Sequence, residues 1–390
     1  MDLDAIRDSP IGNLVPIAGT DPHTGRAFEH MAFQPDPLPH EVELSAGTWP
    51  TVLEAATALT RLDQGGRQIP APEMLRRPAI RREAQSTSAL EGTYAAYTDL
   101  LEADLVKDAP RSAALNELFN FVYVAERAFE WVPARPLTVG LLCELQGQLV
   151  AGTTGDLPDA GQIRDRQVVV GSRGGPIEDA RYVPSPSGTW LESNVHELID
   201  WMRRDSDIPS VVRAALAHYQ FEALHPFSDG NGRLGRLMIV LQLMLDGVLR
   251  DPLLIVSPWF EARRREYQDQ LLEVSQTGRF DSWVRFFCEG MRAQATSTMD
   301  QVERLLEKQQ EIRQIVHDKN VKGVAARIAE DLIGTPMVQA TYAANEYGVS
   351  YQAANQGIKR LVAQGVLAEM TGRTYGRVFA SKDILSILQS

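Results

Sequence analysis

Cysteine is almost missing from this chain: Cys143 and Cys288 are the only two in 390 residues. They lie far apart, each in an apolar helical pattern, so a disulfide framework, zinc fingers and cysteine chemistry drop out and reduced thiols in a cytoplasmic protein are expected. A run able to cross a bilayer is missing too. The longest apolar stretch, Leu237 to Leu245, is broken by Gln242 and stopped by Asp246, which predicts a buried helix and no membrane partner. The first thirty residues carry no basic-then-apolar signal sequence. Positive charge is in deficit: 39 Lys and Arg against 51 Asp and Glu leave −12, which opposes unspecific binding to nucleic acid or anionic membrane. Any basic site must therefore be local. What is present is an ordinary globular composition, 44% hydrophobic and 23% charged, long enough for two or three domains.

Residues 1–45 are rich in Pro, His, Gly and Asp, with Pro35, Pro37 and Pro39 at alternate positions, and predict an extended arm without a core of its own. Helical spacing begins at Trp49, with Val52, Leu53, Ala56, Leu59 and Leu62 on one face, and Gly65-Gly66 predicts its stop. A second helix is expected over 79–90, with Pro78 in its first turn and Gly92 after its end. Helices over 94–106, 111–131 and 137–150 are separated by breakers at Asp108-Ala109-Pro110, Pro133 and Pro136. Between Gly161 and Pro186 the period changes. Gln167-Val168-Val169-Val170 and Ala180-Arg181-Tyr182-Val183 flank Gly171, Gly174, Gly175 and Pro176, which predicts a β-hairpin inside a helical domain. Helices resume near Thr189 and end in a long one over 280–316. Residues 321–390 predict a helix to Tyr347, a turn with Ser350 as N-cap, a second helix with Ala354, Ile358, Leu361 and Val362 inward, and paired strands at 366–370 and 377–380. Helix-turn-helix plus hairpin is a winged-helix pattern.

The segment His225-Pro226-Phe227-Ser228-Asp229-Gly230-Asn231-Gly232-Arg233-Leu234-Gly235-Arg236 carries the chemistry. A helix ends at His-Pro, a Gly-Asn-Gly loop follows and an apolar helix starts at once, so unpaired N–H groups and the positive end of a helix dipole converge on one spot. Gly230 and Gly232 remove side chains that would keep an anion from those amides. Arg233 and Arg236 add two guanidinium forks at an end of the helix where cations are unfavourable unless an anion binds. A nucleoside triphosphate satisfies that demand, with Asp229 placed for a magnesium ion and His225 placed as a neutral base. Gly230–Gly235 also fits G-x-G-x-x-G, but the preceding LAHYQFEAL is helical in pattern where a dinucleotide fold needs a strand. His218, seven residues before His225, reads as a packed or hydrogen-bonded histidine.

The segment resembles the Fic family signature, H-P-F-x-D/E-G-N-G-R-x-x-R, at every defining position. The resemblance implies a mainly α fold, a Fic helical bundle with a β-hairpin flap and a C-terminal winged helix-turn-helix domain. It implies a protein adenylyltransferase that moves AMP from ATP, with Mg²⁺, to a protein hydroxyl of Ser, Thr or Tyr. By that resemblance His225 deprotonates the hydroxyl, Asp229 binds magnesium, Asn231 and the amides of Gly230 and Gly232 hold the α-phosphate, Arg233 and Arg236 grip the outer phosphates, and Phe227 is an apolar anchor. Thr87-Ser88-Ala89-Leu90-Glu91-Gly92 resembles the family's inhibitory motif S/T-x-x-x-E-G, which implies that Glu91, with Thr87, blocks the γ-phosphate position beside Arg236. Gln167, Val168, Val169, Val170 and Gly171 correspond to the flap on which a target lies as an added strand; a purely structural hairpin is the other reading. Ser257–Leu272 resembles a helix that lines the nucleotide site in relatives, although Arg263 stands where many have Asn. The resemblance covers about residues 30 to 390.

The expected division is an arm at 1–45, an N-terminal helical segment with the inhibitory motif at 46–110, a Fic catalytic domain at 111–295, a connecting helix at 296–320 and a winged-helix domain at 321–390. A UMP donor, and a nucleotide-sensing regulator that binds DNA through 321–390, are the alternative functions. The last segment holds seven Lys and Arg against five Asp and Glu, with Lys359, Arg360, Arg373 and Arg377 as candidate phosphate contacts. Protein contacts or dimer formation through it are the other reading, and self-modification is expected.

Overall fold

A computed structural model describes residues 1–20, 25–67, 72–106, 110–132, 134–171 and 175–389. The expected breakers Asp108, Ala109 and Pro133 and the expected turn residue Gly174 lie outside the described residues. The elements in chain order are α1 (Leu3–Ile6), β1 (Gly12–Thr20), β2 (Ala27–Pro35), α2 (Trp49–Arg67), α3 (Glu73–Glu91), α4 (Tyr97–Leu105), α5 (Ala113–Trp131), α6 (Val139–Val150), α7 (Thr189–Arg203), α8 (Ser210–Leu224), α9 (Asn231–Leu245), α10 (Ser257–Ala262), α11 (Arg264–Thr277), α12 (Asp281–Asp318), α13 (Val324–Asp331), β3 (Met337–Gln339), α14 (Ala340–Tyr347), α15 (Tyr351–Ala363), β4 (Ala368–Glu369), β5 (Val378–Ala380) and α16 (Lys382–Leu388). The fold is mainly helical. Among the described residues no helix is long and apolar enough to cross a membrane. Contacts divide the chain into two compact units: Met1–Arg61 with Asn120–Arg250 and Val256–Gln294, and Leu62–Phe119 with Asp251–Ile255 and Ala295–Ser390.

The first unit is built around α8 and α9. Both are buried on nearly every face, as expected of helices without a sustained polar stripe. Burial extends to polar residues, several of which find partners within the unit. Arg213 pairs with Asp246 at 2.8 Å and donates to the carbonyls of Met202 and Arg204 at the end of α7. The Trp283 indole N–H donates to Ala215 O on α8 at 2.8 Å. Cys288 is fully buried, which pushes its thiol up to about 12, and Cys143 is half-buried with its thiol also raised by burial.

The expected extended arm is instead a hairpin. β1 and β2 pair antiparallel from Gly12↔Pro35 to Thr20↔Ala27. Its apolar alternation is diluted by Pro16 and Gly19, which hid the period; Pro16 is tolerated because strand edges need not donate. The hairpin's apolar side chains join a cluster shared with the 177–183 segment: Ala32 is buried with Ile177, Ala180 and Val183, and Val15, Ile17, Phe28 and Val169 pack against them.

The second unit shows three more departures. α2 runs through Gly65-Gly66 to Arg67, because a Cβ at Gly65 would lie 2.6 Å from the Met299 side chain; this glycine serves close packing, not termination. α3 starts at Glu73 and carries Pro78 inside it. Farther on, α14 ends at left-handed Gly348 and α15 begins with Ser350 Oγ accepting from Ala353 N–H. The two expected closing strands shorten to β4 and β5, and β3 joins them in a three-stranded sheet of order β3-β5-β4. Buried Arg81 pairs with Asp104 and donates to Gly334 O.

Leu241, 0% exposed on α9, tests the central position of that helix. Leu241→Ala should lower unfolding free energy by about 2–5 kcal/mol in urea titrations, whereas a surface helix would lose far less.

Candidate functional site

α8 stops at His225, whose backbone is left-handed at φ 49°, ψ 60° and whose N–H still donates to Phe221 O at 2.9 Å. A non-glycine residue holds that conformation only where its surroundings fix it. Phe227 is 0% exposed and packs by Phe221, and the Asn231 side chain clamps the loop: Oδ1 accepts from Phe227 N–H at 2.9 Å and Nδ2 donates to Phe227 O at 2.7 Å. The Asn231 side chain, expected to help hold the α-phosphate, thus also shapes the turn, as buried polar groups require.

Gly230 caps α9 at φ 83°, and no side chain caps that helix, so its first-turn N–H donors stay available to a ligand. Arg233 and Arg236 are 3% and 2% exposed on its first turns. Arg233 Nη2 donates to Asp229 Oδ1 at 2.7 Å. The Asp229 carbonyl accepts from Gln146, whose Oε1 accepts from Gly161 N–H, and Gly155 sits so close that a Cβ there would be 2.6 Å from Asp229 Cγ. The His225 ring points Nδ1 at Glu222, 3.4 Å from its carbonyl and 3.9 Å from its carboxylate; in the tautomer with the proton on Nδ1, Nε2 carries the lone pair.

Several of these partners went unnoticed in the sequence. Glu222 had a local signal, the E-x-x-H spacing across the end of a helix. Gln146 and Asp159, which accepts from Ser228 Oγ at 2.5 Å, had none, since each reaches the loop from more than one element away; Arg164, which donates to His225 O at 2.8 Å, stands where the Fic resemblance places an arginine ahead of the flap, without a sign of this contact.

The segment expected as a regular β-hairpin is mostly loop. It keeps one antiparallel bridge, Val170↔Tyr182, and a 3-10 turn over Ile177–Asp179. Two contacts explain this. Gln167 turns its amide onto the carbonyls of Val168 and Pro184, and Val183 O accepts from Phe33 N–H on β2 at 2.9 Å. The 183–184 backbone therefore pairs with β2 and not with 167–169.

Residues 136–243 match the model of the Fic/DOC family and residues 49–130 that of the Fic/DOC family N-terminal. The chain belongs to the Fic/DOC family. It is similar to a protein adenylyltransferase fic-1 of Caenorhabditis elegans, 33% identical over 140 residues, 35% of this chain and 24% of that protein. It is also similar to a protein adenylyltransferase Fic of Drosophila willistoni, 27% identical over 204 residues, 50% of this chain and 36% of that protein. The chain thus spans about a quarter to a third of the length of these curated relatives. A crystal structure of a Fic family protein from Desulfovibrio desulfuricans G20 superposes with a TM-score of 0.55 at 17% identity, over 88% of this chain and 98% of that one, a likeness of fold.

The Fic motif lies in the first unit and the S/T-x-x-x-E-G stretch in the second. There Thr87 is buried at 0% exposure, and Glu91 is the exposed last residue of α3, followed by left-handed Gly92. In the same unit three of the four candidate phosphate-contacting cations are engaged: Arg360 with the carbonyls of Lys319 and Asn320, Arg373 with Glu102 and Arg377 with Glu369. Tyr267 is 5% exposed, and Arg263 lies over the Trp259 ring at 3.5 Å.

His218 is enclosed by Phe260, Tyr267 and Trp283, with Nδ1 at 3.1 Å from Gly235 O and Nε2 at 2.7 Å from the Tyr267 hydroxyl. Burial, then the Arg236 charge, pull its pKa from 6.5 to about 3. The native state binds fewer protons than the unfolded chain, so this stability is complete above pH 6.5 and declines as pH falls towards 3. The urea midpoint should fall through that window, and His218→Gln, which cannot titrate, should show a shallower fall; parallel slopes would refute the assignment.

Proposed function

We propose that this protein transfers AMP from ATP to a hydroxyl side chain of a protein. One observation carries the reading: the imidazole of His225, the uncapped start of α9 and the guanidinium groups of Arg233 and Arg236 belong to one turn between two buried helices. The names of the relatives support the AMP group.

In this reading the N–H groups of α9 and the two arginines bind the phosphates, which places positive charge where negative charge develops. His225 Nε2 accepts the proton of the incoming hydroxyl; its oxygen bonds to the α-phosphorus while the bond to the β-phosphate bridging oxygen breaks, releasing pyrophosphate. Nδ1, facing Glu222, keeps the ring oriented for that transfer. Asp229 fits a magnesium ion only as a shared ligand. Its carboxylate side chain is 40% exposed, and among the described residues no group of three His, Cys, Asp or Glu assembles a cation site. Magnesium commonly takes one or two carboxylates and completes its shell with phosphate oxygens and water. The ion would neutralise charge on the phosphates.

Glu91 acts as the inhibitory residue in this reading, on the strength of the T-S-A-L-E-G spacing, and holds the resting enzyme slow by competing with the γ-phosphate for Arg236. The cytoplasm is the compartment that fits two reduced thiols. A DNA-sensing role has less support, because Arg360, Arg373 and Arg377 already have protein partners.

Intact-mass analysis of Glu91→Gly after incubation with ATP and Mg²⁺ should show added AMP, on the protein itself or on a supplied target, faster than in the unsubstituted chain. His225→Ala in that background should abolish the gain while ATP binding persists. A UMP adduct from UTP in place of AMP would move the donor, and equal turnover with and without Glu91 would remove the inhibitory assignment.

A further inference from the structure

Arg164 stands just ahead of the loop 167–183 and is 1% exposed, among the largest fully buried side chains. Its guanidinium finds backbone carbonyls. Nε donates to His225 O at 2.8 Å, Nη2 to Ser185 O at 2.6 Å and to Leu224 O at 3.5 Å, and Nη1 to Arg166 O at 2.9 Å. Its own backbone N–H donates to Pro226 O at 2.9 Å. Residues 224, 225 and 226 thus all give their carbonyls to Arg164.

The carbonyls of Leu224 and His225 are helix-end acceptors, without a partner one turn ahead, and they carry the negative end of the α8 dipole. A buried cation there answers both needs. Desolvation draws its pKa down to about 10, which still leaves it charged at neutral pH. Arg166 and Ser185 are of different origin: they are the two roots of the loop 167–183, one on each side. One rigid fork therefore joins both roots of that loop to the backbone of the left-handed residue that bears the imidazole. Lysine lacks the planar array of five donors and would hold a subset of these carbonyls at best.

We propose that Arg164 is a positioning residue that locks the two roots of the 167–183 loop to the His225 turn, so that the base and the segment beside it open and close as one body. Its consequence for catalysis rests on the AMP-transfer reading; the mechanical coupling does not.

Two measurements separate these. Native-state amide hydrogen exchange of the unsubstituted full chain, followed at low denaturant, should show the hydrogen-bonded amides of Arg164, Val170, Tyr182 and Phe227 opening with a common free energy and a common denaturant dependence. Opening of the loop amides well before the turn would overturn the proposal without any variant. Arg164→Lys should accelerate exchange in the loop and at the turn together while α14 and α15 stay unchanged; acceleration at the turn alone, or at neither, would also overturn it. In the Glu91→Gly background Arg164→Lys should lower kcat for AMP incorporation about 100-fold while KM for ATP holds, as for a misplaced base. An unchanged kcat removes the positioning role. If Glu91→Gly and its parent both fail to transfer AMP, the functional reading falls, and the exchange data still decide the coupling.

Discussion

A left-handed residue wedged between two helices that have no free face is the constraint on which the catalytic half of this molecule depends. α8 and α9 are enclosed on nearly all sides, so neither can rotate or slide without opening the core. The chain must reverse between them within a few residues. That reversal forces His225 to a positive φ, seals Phe227 inside and leaves the first amides of α9 pointing out of the turn. Chemical groups that would be disordered on a free loop are thereby held by helix packing.

Holding the turn falls to polar side chains drawn from elsewhere in the first unit. Asn231 closes the loop on Phe227, Gln146 spans the Asp229 carbonyl and the Gly161 amide, and Ser228 bonds Asp159. Buried hydrogen bonds of this kind contribute little when complete and cost much when broken, so the network specifies geometry more than it adds stability. The division of labour gives the Asn231 side chain a clamping role that the sequence alone does not announce.

Much of the site was legible because its chemistry is contiguous. Base, carboxylate, glycines and arginines fall within twelve residues, and the apolar periods on either side mark the two helices. The misreadings share another cause. Gly65 and Pro78 carry strong local preferences for ending or starting helices, yet α2 and α3 continue through them because close packing and tertiary contact outweigh a propensity of about 1–3 kcal/mol. The N-terminal hairpin was illegible because Pro16 and Gly19 interrupt its alternation, and the 167–183 loop was overread because half of its pairing partner is β2, more than a hundred residues upstream. Arg164 is the extreme case, since no local pattern reveals which carbonyls a buried guanidinium will meet.

The hairpin of β1 and β2 also sets where this catalytic unit can be cut. Ala32 shares its apolar contacts with Ile177, Ala180 and Val183, and Phe33 occupies the carbonyl of Val183. A shortened version beginning at Trp49, the natural choice from helical periodicity, would strip that lining away and wet the underside of the loop beside the imidazole. Excision for crystallography or screening should keep the first thirty-five residues.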